Sequence, residues 1–412
     1  MNDNTLHSSD NQPLNSGVML FPSSAQEAQR FVEQIVRLGH DASHVLAGGI
    51  GAAINWSQVN PSPAVMLVDI DGDPLPLQSL SELFENCDPT CQIVTTGSRQ
   101  DVDLYRTLLR NGVCDYLVKP VPFDLLAATL ARAQGADQHE AHGVRNGRTI
   151  AITGASGGCG SSTVAAGLAQ LLSEQRHTAT AVVDFDRHNG DLALLLGYDG
   201  DAGLAGALSS NEIDSRFLQR SMGKINDRLH LLAQEPSYQI DPHLAVDHLL
   251  SLGGNLCRMF NQVVWDLPAG RPSGCMDVLA HAQTRIVLAD MNVQDARNTH
   301  RLLREIGDES DGQHLLLVIN PSRGNLASGV ERKQFEEFVE RRIDLVLPYA
   351  GQSLSSSLLT GPLRLSSAPA FQSSLLELTD LACGHTPRKT SLQSSNIISR
   401  LKNVLGRSRS AA

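Results

Sequence analysis

Residues 149–172, TIAITGASGGCGSSTVAAGLAQLL, decide the fold of the larger part of the chain. Ile150 and Ile152 indicate a buried strand, the glycines between positions 154 and 160 indicate a tight turn, and an apolar helix begins near Ser162. Glycines let consecutive backbone N–H groups point at one anion, and the helix start adds its positive dipole end. We therefore predict a phosphate-type loop, with nucleotide-binding residues Gly157, Gly158, Cys159, Gly160, Ser161, Ser162 and Thr163.

This loop has no lysine. Loops of this type usually carry Gly-Lys-Ser/Thr, and the lysine reaches the β- and γ-phosphates. Here Ser161 stands at that position, and no lysine lies between Lys119 and Lys224. The alternative, a glycine-rich turn that binds nothing, therefore stays open. A dinucleotide loop fits less well, because the G-x-G-x-x-G spacing is absent.

Two later segments place acidic side chains at strand ends. AVVDFDRHNGDLALLLG (181–197) carries Asp184 and Asp186, and FNQVVWDLPAG (260–270) carries Asp266. Carboxyl ends of parallel strands form the ligand edge of an open α/β sheet. Carboxylates there can orient a water molecule or hold Mg²⁺ through water, so we predict a magnesium site at this edge. For each residue alone, the alternative is a helix cap.

The three segments together resemble the ParA/MinD family of deviant Walker P-loop ATPases over about residues 148–383. SGGCGSST, VVDFD and VVWDLPAG stand at the positions of its phosphate loop, its acidic strand end and its D-x-P-A-G segment. The resemblance implies ATP or ADP and Mg²⁺ as cofactors. It implies Ser162 as the Mg²⁺ hydroxyl, Asp186 as the catalytic, water-orienting carboxylate and Asp266 as an Mg²⁺ partner acting through water. Asn320 falls where the family places an adenine contact.

Two departures from the family pattern concern catalysis. The family's signature lysine, which reaches across a dimer, is Ser156 here, and its phosphate lysine is Ser161. Catalysis of phosphoryl transfer is largely electrostatic, so we expect hydrolysis to fall by roughly a hundredfold or more. The backbone cradle does not depend on lysine, so nucleotide binding is expected to outlast catalysis. Arg187 is either a substitute cation or a solvated surface arginine.

The chain before this loop is another α/β series. Short apolar runs at 18–21, 64–68, 92–96 and 115–118 alternate with helical patterns, which predicts a parallel sheet covered on both faces. Seven further apolar runs between 149 and 347 predict a doubly wound, mostly parallel sheet. We predict a disordered leader at 1–15, a first domain at 16–134, a linker at 135–147, a P-loop domain at 148–383 and a linker with tail at 384–412.

Three residues of the first domain occur in the order of a response-regulator receiver domain: Asp69 at a strand end, Thr96 in the next strand and Lys119 in YLVKP. The resemblance implies a flavodoxin-like fold with a phosphorylated aspartate. The acidic pair that binds Mg²⁺ in receivers is absent after the first strand, and aspartyl phosphorylation is disfavoured without Mg²⁺. We expect a degenerate receiver used for dimerisation or partner binding. The alternative is that Lys119 merely lies in a βα turn.

A degenerate receiver followed by a lysine-deficient ParA/MinD-like domain is similar to the TadZ/CpaE family of Tad (Flp) pilus-assembly proteins. The resemblance implies a nucleotide-binding localisation and assembly scaffold of a type IV pilus and secretion system, with weak or absent hydrolysis. It implies a homodimer that works with a pilus-assembly ATPase and inner-membrane platform proteins, in the cytoplasm, at the inner membrane and at a cell pole. Two alternatives stay open: an active ParA/MinD-type positioning ATPase and a phospho-receiver signalling protein.

The C-terminal tail is basic. Six basic residues and no acidic one follow Asp380; without their charges the net charge of −11 becomes −17. One apolar helical face is flanked by basic side chains in the segment Ile397, Ile398, Arg400, Leu401, Lys402 and Leu405. This pattern predicts contact with an anionic membrane surface, and docking on the chain's own domain or on a partner is the alternative. The acidic remainder and the aromatic content of 4% argue against nucleic acid as a partner.

Overall fold

The structure is a computed structural model that describes residues 17–134, 146–210, 213–237, 244–307, 309, 312–322 and 330–384. The predicted leader, residues 135–145 of the predicted linker and the tail beyond Gly384 lie outside these ranges, and so do all the tail residues predicted to touch a membrane. Two separate sheets organise the described chain. We call residues 17–134 the first unit and residues 146–384 the second unit.

The first unit is built on a four-stranded parallel sheet in the order β1-β2-β3-β4. Its strands are β1 (Val18–Phe21), β2 (Val65–Asp69), β3 (Gln92–Gly97) and β4 (Asp115–Val118). Its helices are α1 (Ala25–Arg37), α2 (Gly49–Val59), α3 (Pro76–Asn86), α4 (Val102–Arg110) and α5 (Phe123–Gln134). Both β1 and β2 are buried along their whole length, as expected for strands covered by helices on both faces. An isolated parallel bridge joins Leu20 of β1 to Val45.

The second unit is built on an eight-stranded sheet in the order β12-β11-β10-β5-β9-β6-β8-β7. Its strands are β5 (Arg148–Gly154), β6 (Thr180–Asp184), β7 (Gly223–Asn226), β8 (Leu229–Leu232), β9 (Gln262–Leu267), β10 (Thr284–Ala289), β11 (His314–Ile319) and β12 (Leu345–Val346). Its longer helices are α6 (Ser161–Glu174), α10 (Val246–Met259), α12 (Val293–Ile306) and α15 (Pro369–Ala382). The shorter ones are α7 (Leu192–Leu196), α8 (Leu204–Ser209), α9 (Ser215–Ser221), α11 (Cys275–His281), α13 (Arg332–Val339) and α14 (Gly351–Leu358).

Apolar cores cover both faces of the second sheet. Along β5, Ile150 and Ile152 face the core that contains α6 and α15, whereas Ala151 faces the core that contains α10. Gly167 allows α15 to approach α6 closely, because a β-carbon there would lie 2.6 Å from a methyl of Leu375. The predicted α/β class with mostly parallel sheets is confirmed. No helix among the described residues is long and apolar enough to cross a bilayer.

The strand predictions hold best where apolar runs are long. Observed bounds coincide with those predicted for the runs at 18–21 and 115–118, which form β1 and β4. The prediction missed β7, which pairs antiparallel with β8 at the sheet edge and contains Lys224 and Asn226. Its four residues carry one apolar side chain apart from glycine, too few to make a strand pattern visible. Edge strands need only one buried face, which explains why so polar a segment still pairs.

The two units touch through side chains that bind backbone carbonyls. The guanidinium of Arg228 donates to the carbonyls of Ser57, Asn60 and Asn86, the last two at 3.0 Å. Asn261 donates to the carbonyls of Phe84 and Cys87, each at 3.0 Å. The receiving carbonyls lie at the ends of α2 and α3, where helices leave carbonyls without partners and favour a cation. Arg228 and Asn261 precede β8 and β9, so the first unit contacts the amino edge of the second sheet.

Candidate nucleotide-binding site

The glycine loop leaves the start of α6 open. Gly158 and Gly160 each have a φ of 81°, in the left-handed region that glycine tolerates without strain. Gly160 is the residue before the helix, and no side chain caps the first turn from that position. The N–H groups of the first helical turn therefore remain available to a ligand at the positive end of the helix.

This loop forms one wall of a cleft of about 890 Å³. Opposite walls come from the turns after β6 and β9 and from the face of α12. The residues that line it are Ala155, Ser156, Gly157, Gly158, Gly160, Ser161, Ser162, Thr163, Asp186, Asn189, Asp191, Asp266, Pro268, Ala269, Gly270, Arg271, Asn298, Arg301, Leu302 and Glu305. The lining thus contains six of the seven loop residues predicted to bind nucleotide, together with Asp186 and Asp266. Its cations are two arginines, which the sequence analysis did not predict.

A buried carboxylate holds the loop from behind. Asp295 is fully buried and accepts hydrogen bonds from the Ser156 hydroxyl, the Cys159 thiol at 3.4 Å and the backbone N–H of Asp290 at 2.8 Å. Cys159, predicted among the nucleotide-binding residues, turns its side chain toward Asp295 and not into the cleft. Ser156 therefore does more than mark a missing lysine, because it ties the loop to α12.

The opposite side of the loop is held by the segment after β11. The Asn320 amide donates to the carbonyl of Cys159 at 2.8 Å, and the Ser322 hydroxyl donates to the carbonyl of Gly158 at 2.5 Å. A β-carbon at Gly160 would lie 2.6 Å from the Asn320 amide nitrogen, so the two segments are in close contact. Asn320 is buried and does not line the cleft. Its predicted contact with adenine stays a prediction, and the structure assigns the amide to loop support.

Asp266 forms the acidic floor of the cleft. Its side chain is almost completely buried, and its Oδ1 atom has no hydrogen-bond partner among the described residues. Burial and the neighbouring Asp184 raise the pKa of Asp266 to about 8, although the hydroxyls of Ser162 and Ser161 act in the opposite direction. A buried oxygen without a partner is costly, and a cation would supply the missing interaction.

Asp184 lies beside Asp266 on the adjacent strand, since the two residues are register partners between β6 and β9. Its carboxylate accepts the N–H groups of Asp186 at 3.2 Å and Leu192 at 2.9 Å. Burial is the main cause that raises the pKa of Asp184 to about 7. Asp184 does not line the cleft, so the structure assigns it first to the turn that begins α7. Its role toward Mg²⁺ stays a prediction.

The residues present fit Mg²⁺ held mainly by a nucleotide. Among the described residues, no group of three or more His, Cys, Asp or Glu side chains has the arrangement of a complete metal site. Mg²⁺ in nucleotide sites commonly takes one or two protein ligands and completes its shell with phosphate oxygens and water. Ser162 at the start of α6 and the orphaned Oδ1 of Asp266 would be those partners.

Arg187 is neither a substitute cation in the cleft nor a solvated surface arginine, the two roles that the sequence suggested. It is 3% exposed, so the prediction of a solvated surface arginine is wrong. Its guanidinium lies 5.0 Å from the Phe185 ring centroid and donates to the carbonyl of Ser273 at 3.3 Å. It does not line the cleft and therefore does not replace the missing lysines there.

The first unit brings the predicted receiver residues together. Asp69 is buried, and Lys119 donates to it as well as to Glu27 at 2.9 Å and Asp71 at 3.1 Å. Backbone N–H groups of Ser23 and Asp71 occupy the remaining positions on Asp69, each at 2.9 Å. Burial alone would raise the pKa of Asp69, but these hydrogen bonds outweigh it and hold that pKa below its usual value.

Thr96 lies next to this cluster as the register partner of Asp69 on β3. Its hydroxyl is buried and makes no hydrogen bond in the described structure. Glu27 and Asp71 were not predicted, because a helix and a loop supply them and no local motif marks them. With both its oxygens engaged and no exposure, Asp69 is poorly placed to accept a phosphoryl group. The receiver assignment itself stays a prediction.

Replacing Lys119 by Met should destabilise the first unit strongly. The change leaves a buried Asp69 carboxylate without its cation, which typically costs about 3–5 kcal/mol. We expect urea unfolding to show this loss, and Lys119→Met/Asp69→Asn to recover part of it because the uncompensated charge is gone. Lys333→Met is the matched control, since Lys333 is exposed and pairs only at 3.7 Å with Glu337. Equal stability of Lys119→Met and Lys333→Met would contradict this role.

Asp266→Asn should remove part of a pH dependence. The raised pKa values of Asp266 and Asp184 mean that the folded chain binds more protons than the unfolded chain between about pH 4 and pH 8. The free energy of unfolding that these two groups contribute is fully present below pH 4. It falls as pH rises through this window, by up to ~1.4 kcal/mol per pH unit for each group. In EDTA, we expect Asp266→Asn to flatten this fall and to be more stable than the wild type at pH 8. The exposed Asp199→Asn is the control, and an unchanged slope in Asp266→Asn would refute the effect.

Known proteins resemble part of the chain, although it matches no protein-family model. The septum site-determining protein MinD of Escherichia coli is 26% identical over 223 residues, which cover 49% of this chain and 78% of MinD. A ParA family ATPase from Chlorobium tepidum is 20% identical with a TM-score of 0.50, over 57% of this chain and 98% of its own. At that identity the structural likeness shows the fold alone.

Two further structures are less similar. MinD from Pyrococcus horikoshii, solved with Mg-ADP, is 19% identical with a TM-score of 0.47, over 57% of this chain and 95% of its own. The pilus assembly protein CpaE from Caulobacter crescentus is 29% identical with a TM-score of 0.25, over 28% of this chain and 90% of its own. A match of that extent does not assign the whole chain to pilus assembly. About half of the chain is thus similar in sequence to MinD, and its second unit shares the fold of a ParA family ATPase.

Proposed function

We propose that this protein binds ATP or ADP with Mg²⁺ in the cleft, hydrolyses ATP slowly or not at all, and acts as a localisation and assembly scaffold of a Tad-type pilus and secretion system. One observation carries the nucleotide part of the proposal. An open helix start and a glycine loop face a buried carboxylate with an unpaired oxygen, in a cleft without lysine among its described lining.

The separation of binding from hydrolysis follows from where the charges lie. Backbone N–H groups bind phosphate in the ground state whatever side chain occupies position 161. A lysine would add charge where negative charge redistributes in the transition state, and single contacts of that kind are worth several kcal/mol. Ser161 supplies a hydroxyl in its place. The chain therefore keeps the affinity of the glycine loop for the nucleotide phosphates and loses much of the rate of ATP hydrolysis.

The other residues of the cleft have distinct roles in this proposal. Bound Mg²⁺ would offset phosphate charge. Ser162 and Asp266 would hold it, directly and through water respectively. Asp186 accepts the N–H groups of His188 at 3.1 Å and Asn189 at 2.9 Å through one oxygen, which fixes its carboxylate at the cleft wall. That position suits a group that orients water, and we retain it as the catalytic carboxylate of any residual hydrolysis.

The pilus part of the proposal rests on the resemblance of the whole chain to the TadZ/CpaE family. We infer a homodimer that works with a pilus-assembly ATPase and inner-membrane platform proteins, in the cytoplasm, at the inner membrane and at a cell pole. The first unit serves partner binding as a degenerate receiver, and the engaged Asp69 supports a role without phosphorylation. The homology to MinD equally supports an active positioning ATPase as a second candidate.

Calorimetry with Mg-ATP tests the nucleotide function. We expect the wild type to bind Mg-ATP and to hydrolyse it barely above background, whereas Ser161→Lys should raise hydrolysis by about a hundredfold because it restores a cation at the transferred phosphoryl group. Ser209→Lys, on α8 outside the cleft lining, is the matched control. Absence of binding at millimolar Mg-ATP would falsify the proposal. Rapid wild-type turnover would favour the active positioning ATPase.

Liposome co-sedimentation tests the membrane contact proposed for the tail, whose residues lie outside the described structure. We expect the full chain to sediment with anionic vesicles and a chain lacking residues 390–412 to stay in solution, because the deletion removes the basic apolar face. Vesicles of neutral lipid serve as the control for charge. Equal sedimentation of the two chains would remove the membrane role.

A further inference from the structure

We propose that Arg271 supplies the cationic contact to the terminal phosphates that the loop serines do not provide. The inference rests on the proposed nucleotide function and deepens it, since it names a residue that sets preference for the number of phosphates. Arg271 directly follows the D-x-P-A-G segment of residues 266–270 and lines the cleft.

The backbone of Arg271 is held in an unusual conformation. Its φ is 47°, in the left-handed region that side-chain-bearing residues rarely adopt. Its N–H donates to the carbonyl of Pro268 at 3.0 Å, which closes the turn after β9. Such a conformation is strained for a residue with a side chain, and glycine would avoid the strain. The chain therefore keeps an arginine at a place where backbone geometry favours glycine.

The guanidinium is fixed beside the loop but incompletely bound. Its Nη2 donates to the carbonyl of Gly154 at 3.0 Å, at the last residue of β5 before the loop begins. Its Nε is buried and has no hydrogen-bond partner, and no ion pair involves Arg271 in the part of the chain that the structure describes. The Glu305 carboxylate acts on Arg271 through space without forming an ion pair, so the Nε donor stays unsatisfied until an anion binds it directly.

The remaining cations near the cleft are placed differently. Arg301 on α12 also lines the cleft but is exposed to solvent. Arg187 is buried outside the lining, against the Phe185 ring. Arg271 thus combines three properties: partial burial, attachment to the base of the loop and an unsatisfied donor. Guanidinium groups bind phosphate oxygens with paired, charge-assisted hydrogen bonds, which suits this cation to a phosphate cleft.

A purely architectural role is the competing explanation. In that case Arg271 only holds the Gly154 carbonyl and the turn at 266–271, and its loss would change stability without changing phosphate preference. The two roles predict different changes in the affinities for Mg-ATP and adenosine. Loss of a phosphate contact weakens the binding of Mg-ATP and leaves the binding of adenosine unchanged, whereas a distorted cleft weakens the binding of both.

The test is calorimetry of the full chain with Mg-ATP, Mg-ADP and adenosine on Arg271→Ala, Arg271→Lys and the control Arg304→Ala, an exposed arginine of α12 outside the cleft lining. We expect Arg271→Ala to weaken the binding of Mg-ATP about thirtyfold, as for loss of hydrogen bonds to a charged group. The affinity for adenosine should stay within twofold of the wild type. The Mg-ATP affinity of Arg271→Lys should lie between those of the wild type and Arg271→Ala, because lysine keeps the positive charge but lacks the paired N–H donors of the guanidinium. The Mg-ATP affinity of Arg304→Ala should stay within threefold of the wild type. Mg-ATP affinity of Arg271→Ala within threefold of the wild type would overturn the inference.

Arg271→Gly keeps the test decisive if the alanine variant folds poorly. Glycine tolerates a φ of 47°, so this variant relieves the backbone strain while it removes the guanidinium. We expect it to retain thermal stability and to lose Mg-ATP affinity to the same extent. If the wild type binds no nucleotide, the proposed function fails and this inference falls with it. If the wild type binds and Arg271→Gly binds equally well, only this inference is wrong.

Discussion

Two carboxylates buried side by side are the interaction on which the candidate site depends. Asp184 and Asp266 end adjacent strands in register, and burial raises the pKa of both. Two such groups are not both ionised without a nearby positive charge. Asp184 satisfies its oxygens with backbone N–H groups, whereas Asp266 leaves Oδ1 unpaired at the floor of the cleft. The cleft is thereby suited to a cation, which none of the described residues supplies at that point.

The fold keeps this edge of the sheet accessible. The first unit contacts the second through Arg228 and Asn261, which precede β8 and β9 at the amino edge. The cleft lies at the carboxyl edge, where parallel α/β sheets bind ligands. The described residues of the first unit are therefore placed away from the candidate nucleotide site.

Local sequence revealed the loop and the strand ends, and long-range contacts stayed hidden. Glycine spacing and apolar runs predicted β5, the start of α6 and the positions of Asp186 and Asp266, because each feature occupies a few consecutive residues. Asp295 holds the loop from 139 residues away along the chain, and Arg271 reaches Gly154 across 117 residues. No local pattern reports such pairs, so neither the contact of Cys159 with Asp295 nor the support of the loop by Asn320 could be predicted. Arg187 was misjudged for the same reason, since its burial depends on Phe185 and the segment at Ser273.

The central claim is that a phosphate loop without lysine still binds nucleotide at the start of α6. A crystal structure determined with Mg²⁺ and a non-hydrolysable ATP analogue tests it most directly. We predict phosphate oxygens within hydrogen-bond distance of the N–H groups of residues 157–163, with Mg²⁺ between Ser162, the phosphates and Asp266. Crystals soaked to saturation that hold no nucleotide in the cleft, or hold it elsewhere on the protein, would contradict the claim.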